Sequence, residues 1–253
     1  MLNFFKKRKR ARLRARRFPD TRWQAIAKAF PYAAALPAQD RTELQGHVNV
    51  FLDEKHFEGC GGLVLTEEMR YIIAGQACAL LLHRDTDYFP SLRSVLVYPE
   101  AYEASRDNRD VDEPMLVTEE DDVLLGEAWS TGAVVLSWRE IAERAEGRNL
   151  VLHEFAHLLD EETGDMNGIP FIADEALAEA WPKGMSEAYD RHVRAVERGR
   201  DTVIDPYGAD APEEFFAVCV EAFFEIPRDL QRHEPVVYSL LQRYFHQDPA
   251  TTF

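Results

Sequence analysis

The chain has 253 residues, 46% of them hydrophobic and 29% charged, enough apolar material for one large core or for a small domain joined to a larger one. Its net charge of −16 hides an asymmetry, because residues 1–17 carry nine basic side chains and no acid, leaving −25 on the rest. An acidic body of that kind repels nucleic acid, which excludes direct DNA reading by the body.

In chain order, residues 1–19 read as a flexible, basic, solvated arm. The alternative for this arm is contact with an anionic surface, lipid or phosphate, with Met1, Leu2, Phe4 and Phe5 as a small apolar tip. Arg17-Phe18-Pro19-Asp20 follows the basic run where a secretory signal would need an apolar segment, so no such signal is expected. Residues 20–253 are expected to form a single domain, with 20–90 open to a second reading as a helical subdomain.

The pattern is helical from Thr21 to Leu82, with Asp40 and Glu43 resembling a capping box. Cys60-Gly61-Gly62 breaks it, and Thr66 is expected to cap a more buried helix through Met69, Ile72 and Ile73. The longest apolar stretch, Tyr71 to Leu82, is short for a membrane span and contains Gln76. Strands are expected at Ser94–Tyr98, closed by Pro99, and at Gly132–Leu136. The acidic segment Ser105–Asp122 reads as loop, with another strand around Val123–Leu125.

Ser137 with Glu140 predicts a helix ending near Gly147, and Asn149 caps the next one, whose buried face is Leu150, Val151, Phe155, Leu158 and Leu159. A loop at Gly168–Ile172 leads to a charged helical region from Asp174 to Arg198, broken near Pro182. A turn at Asp205-Pro206-Tyr207-Gly208 precedes an apolar helix over Pro212–Phe224, and a last helix covers Pro235–His246. Cys60, Cys78 and Cys219 are odd in number and scattered, which fits a reducing cytoplasm rather than a disulfide framework.

The chemistry is concentrated in His153-Glu154-Phe155-Ala156-His157. Histidines four apart share one helix face and can reach one metal ion, and a glutamate beside the first can handle a water on that ion. A catalytic zinc site usually takes a third protein ligand. A third histidine at the short metzincin spacing would fall on Thr163, which excludes that class. Glu213, Glu214 and Glu221, acids on the apolar helix Pro212–Phe224, are the candidates, and spacing alone leaves the choice open. Asp160 reads either as an acceptor orienting a ligand imidazole or as a solvated helix end, and Glu221 as an orienting acceptor or a buried ion pair. Glu58-Gly59-Cys60 resembles the cysteine motif of peptide deformylases, but Ala156 stands where their metal helix has Asp, and Cys60 is 93 residues from His153.

His153 to Asp160, Gly164-Asp165, Gly168 to Ile172, Asp205 to Gly208, Pro212 to Val218 and Glu221 to Phe224 together resemble the MtfA (Mlc titration factor A) family. Val97-Tyr98-Pro99 and Val134 to Trp138 are similar to its strands, so that the likeness runs from about residue 20 to 249. The resemblance implies an α+β, mainly helical zincin-like metallopeptidase with a small sheet and a later helix supplying a glutamate ligand. It also implies a gluzincin-like Zn2+ site acting chiefly as an aminopeptidase on peptide substrates. Residue by residue, the metal ligands fall on His153, His157 and Glu214, the general base on Glu154, and the tyrosine beside the metal on Tyr207. Glu213 falls one position off the ligand and is expected to be exposed. The segment Thr131–Leu136 is the candidate edge for holding a substrate strand. The alternative is a regulatory binding protein that sequesters a transcriptional repressor, with zinc mainly structural.

Overall fold

A computed structural model describes residues 2–100, 132–143, 145 and 147–252. The segment Ser105–Asp122 and the strand expected at Val123–Leu125 lie outside these residues. The helices are α1 (Leu2–Arg14), α2 (Asp20–Ala29), α3 (Pro31–Ala35), α4 (Ala38–Glu54), α5 (Glu67–Ala79), α6 (Trp138–Ala142) and α7 (Leu150–Asp160). They continue with α8 (Glu175–Val196), α9 (Pro212–Glu225), α10 (Pro227–His233), α11 (Pro235–Phe245) and α12 (Pro249–Thr252). Three parallel strands, β1 (His56–Gly59), β2 (Ser94–Tyr98) and β3 (Ala133–Ser137), form a sheet of order β1-β2-β3. This is a mainly helical α+β fold with a small sheet.

Local chemistry sets most boundaries. Thr66 Oγ1 accepts the Met69 amide at the start of α5, Ser137 Oγ the Glu140 amide at α6, and Asn149 Oδ1 the Leu152 amide at α7. Proline opens α3, α9, α10 and α11, where its missing N–H costs no helical bond. Asp40 is not a cap. Helix α4 begins two residues earlier, and Asp40 and Glu43 face His83 instead, at 3.4 and 3.7 Å. Helix α6 stops at Ala142, short of Gly147, and α8 runs unbroken through Pro182. There the helix forgoes one backbone hydrogen bond, and its apolar face, with Leu177, Trp181 and Met185 buried, holds it against α11.

The arm differs most from expectation. Residues 2–14 form a helix docked on α4. Arg10 is 7% exposed and gives Glu54 two hydrogen bonds of 2.8 and 2.7 Å, while Lys6 and Lys9 pair with Asp87 and Asp53. These acids lie more than 40 residues away in sequence, so no local pattern announces the contact.

The core is rich in aromatic rings. Phe155 on α7 meets Phe51 on α4 at 5.7 Å and Phe89 at 4.9 Å, fixing one side of the helix that carries the paired histidines. Phe223 and Phe224 on α9 pack on Phe245 of α11, and Phe216 meets Trp181 of α8. Each such ring contributes about 1.5–3 kcal/mol by leaving water. Helix α9 also packs directly on α7.

Candidate metal centre

Helix α7 has a continuous apolar side, with Val151, Leu152, Phe155, Leu158 and Leu159 buried, and it turns His153 and His157 towards α9. Their Nε2 atoms are 3.2 Å apart. From the first turn of α9, Glu214 Oε2 lies 3.1 Å from His153 Nε2 and 3.4 Å from His157 Nε2. Although this oxygen is buried and near both rings, it accepts no hydrogen bond of proper geometry among the described residues. Tetrahedral zinc with bonds of about 2.0–2.1 Å spaces its donors roughly 3.3 Å apart, and the observed triangle has that size. The donor set, two imidazoles and a carboxylate, is also one that a divalent ion of zinc type accepts.

Behind the triangle, Glu221 ties α9 to α7. Its Oε1 is 2.8 Å from His153 Nδ1, and its Oε2 accepts the Asn149 backbone amide. Asn149 Nδ2 donates to Glu225 Oε1 at 2.7 Å, so that the residue capping α7 is itself held by the next turn of α9. Burial disfavours charge on His153, but Glu214 and Glu221 outweigh it and raise its pKa to about 10. In turn, the two imidazoles overcome the burial of Glu214 and hold its carboxyl well below the usual range. The pocket therefore favours a positive charge at its centre.

Glu154 is half-buried on the same helix, and desolvation pushes its carboxyl above the usual glutamate range, against the opposing effect of His153 and His157. Tyr207 stands at the rim, 46% exposed, its ring 5.9 Å from that of His153. It sits on a 3-10 turn, Pro206–Ala209, capped by Asp205 through the Tyr207 amide at 3.0 Å. Gly208 lets this turn press on α9, since a Cβ there would come within 2.6 Å of Val218 Cγ2.

Asp160 is neither solvated nor hydrogen-bonded to a ligand imidazole. It is fully buried and accepts the Gly168 amide at 2.7 Å, while the Gly168 carbonyl accepts from Trp181 Nε1 at 2.9 Å. Glycine is required here, with φ +76° and a would-be Cβ 2.6 Å from the Pro212 carbonyl oxygen. Asp160 thus pins the 164–172 loop beside the start of α9. Glu213 is half-buried rather than exposed, and it lies outside the triangle. Cys60, at the end of β1, is not part of it either. Sequence reading missed the Asn149–Glu225 bond, although the four-residue spacing of Glu221 and Glu225 was a usable signal.

The family model for glucose-regulated metallo-peptidase M90 matches residues 4–246. The chain belongs to this metallopeptidase family. The M90 match takes in α1 from its third residue. Among relatives, the uncharacterized protein slr2042 of Synechocystis sp. is 40% identical over 235 residues, covering 90% of this chain and 84% of its own. Mlc titration factor A of Pectobacterium atrosepticum is 31% identical over 232 residues, or 90% of this chain and 86% of that protein. The protein of the same name in Yersinia pestis is 31% identical over 224 residues, or 87% and 82%. Membership in M90 implies a metal ion, which the donor triangle fits in size and chemistry.

Proposed function

We propose that this M90 protein is a zinc-dependent peptidase of aminopeptidase type, with His153, His157 and Glu214 holding the ion and Glu154 acting as general base. The observation that carries the reading is the triangle of Nε2, Nε2 and Oε2 atoms with edges of 3.1–3.4 Å. A divalent ion held there supplies Lewis acidity, lowering the pKa of water and polarising the scissile carbonyl. Glu154 removes a proton from the attacking water as its oxygen bonds to the carbonyl carbon, and returns that proton to the amine as the C–N bond breaks. Desolvation, which raises its carboxyl pKa against the pull of His153 and His157, makes it a better proton acceptor than an exposed glutamate. Tyr207, at the rim beside His153, donates a hydrogen bond to the oxygen that gains charge during attack. Glu221 holds His153 by its Nδ1, directing Nε2 at the centre.

The substrate enters as a strand along β3, which among the described residues has β2 on one side and no partner on the other. The preference for a free amino terminus rests on the family resemblance. Three cysteines without a disulfide support a cytoplasmic location, and among the described residues no helix is long and apolar enough to cross a membrane.

A second reading draws on the relatives named Mlc titration factor A, and makes the chain a binding protein for a transcriptional repressor. Digestion of a peptide library by the zinc-loaded wild type and by Glu154→Gln separates the two. A peptidase releases single N-terminal residues, and the variant keeps its zinc while losing at least about 100-fold in rate. Cleavage equal in the variant, or absent from both zinc-loaded proteins, rejects the enzymatic reading.

A further inference from the structure

The two sides of α1 have different partners. Lys6, Lys9 and Arg10 pair with Asp87, Asp53 and Glu54, and Arg14 donates to the Tyr88 hydroxyl at 2.8 Å, so this side is fastened to the body. Helical steps of three and four place Phe4, Arg8, Ala11, Arg12 and Ala15 on the opposite side, with Phe5 and Lys7 at its edges. Phe4 and Phe5 are 61% and 62% exposed. Lys7, Arg8 and Arg12 have no carboxylate partner among the described residues. This is a helix fastened to the body from Lys6 onward, whose free face is cationic along its length and aromatic at its tip, on a chain that carries −25 outside residues 1–17.

We propose that the outer face of α1 is a docking surface for an anionic lipid bilayer. Phosphate groups of the leaflet meet Lys7, Arg8 and Arg12, and Phe4 and Phe5 enter the interface between headgroups and acyl chains. A nucleic-acid duplex would satisfy the cations but leave the two exposed rings in water, whereas a bilayer takes both. The fastened side sets the orientation, because α1 can lie flat on a membrane without leaving α4. Screening over about 8 Å confines repulsion from the acidic body to the parts closest to the leaflet. Each cation near the surface strengthens binding about fivefold.

Co-sedimentation of the full chain with vesicles tests this. With 70:30 phosphatidylcholine:phosphatidylglycerol the protein pellets, with pure phosphatidylcholine it stays in solution, and 0.5 M salt weakens the binding. Combined Lys7→Glu, Arg8→Glu and Arg12→Glu weakens binding at least about 100-fold, and combined Phe4→Ser and Phe5→Ser at least about tenfold. None of these residues is in the peptidase machinery, so melting curves and peptide cleavage stay at wild-type values. The proposal is overturned if the wild type ignores the anionic vesicles, if it pellets equally with neutral ones, or if the serine variant binds as well as wild type. Tighter binding to a duplex oligonucleotide than to vesicles, indifferent to the two phenylalanines, overturns it in favour of nucleic acid.

Discussion

Glu221 illustrates how one side chain can govern two others. It receives the Asn149 amide that begins α7 and approaches the Nδ1 of His153, so the placement of a proposed metal ligand and the start of its helix depend on one carboxylate. Glu221→Gln keeps the shape and removes the charge, and it should weaken zinc binding about 10–100-fold in a competitive chelator titration while the fold persists. Lys55 offers a residue-level test away from the site. Its buried ammonium donates to the Phe89 and Leu92 carbonyls, both at 2.7 Å, and burial lowers its pKa to about 8. Because the folded pKa lies below the unfolded value, the unfolded chain binds more protons between pH 8 and 10.5, and stability rises with pH across that window. Denaturant titrations should show the wild type gaining up to about 3 kcal/mol relative to Lys55→Met from pH 8 to 10.5. A constant difference would contradict the burial of a charge there.

At the scale of elements, Gly168 is where loop, α8 and α9 meet. Gly168→Ala adds a Cβ at φ +76° against the Pro212 carbonyl and should cost about 2–4 kcal/mol. That corresponds to a melting temperature lower by roughly 5–10 °C. Elements with local signals were legible from sequence. Thr66, Ser137 and Asn149 are caps as read, β2 spans Ser94–Tyr98 as read, and β3 is displaced by one residue. The failures share a cause in tertiary contacts. Strand β1 is four residues long and exists through its register with β2, His56 opposite Ser94. Helix α8 survives Pro182 because Leu177, Trp181 and Met185 remain buried on either side of it. In the proposed site, the closeness of the His153 and His157 rings was legible because four-residue spacing is a local property. The role of Asp160 was not, because its partner Gly168 is reached only once the loop folds back.

Across the whole molecule, the charge asymmetry resolves into a helix that neutralises part of an acidic body on one side and shows cations on the other. Arg10→Ala removes the most buried of these pairs and should cost about 2 kcal/mol in denaturant titration, with faster amide exchange confined to α1. The other long-range association brings α7 and α9 together, with His153 and Glu221 68 residues apart in sequence, and Phe216, Phe223 and Phe224 of α9 fully buried in the core. A preformed pocket of this kind lends its ion's binding energy to folding, so zinc at 1,000 times its dissociation constant should add about 4 kcal/mol to stability. The decisive measurement is elemental analysis of the purified chain after zinc loading and removal of excess ion, for the wild type and for Glu214→Ala. One zinc per chain in the wild type, lost from the variant, is the expected result. No bound zinc in the wild type, or the same tightly held zinc in the variant, would contradict a site built from His153, His157 and Glu214.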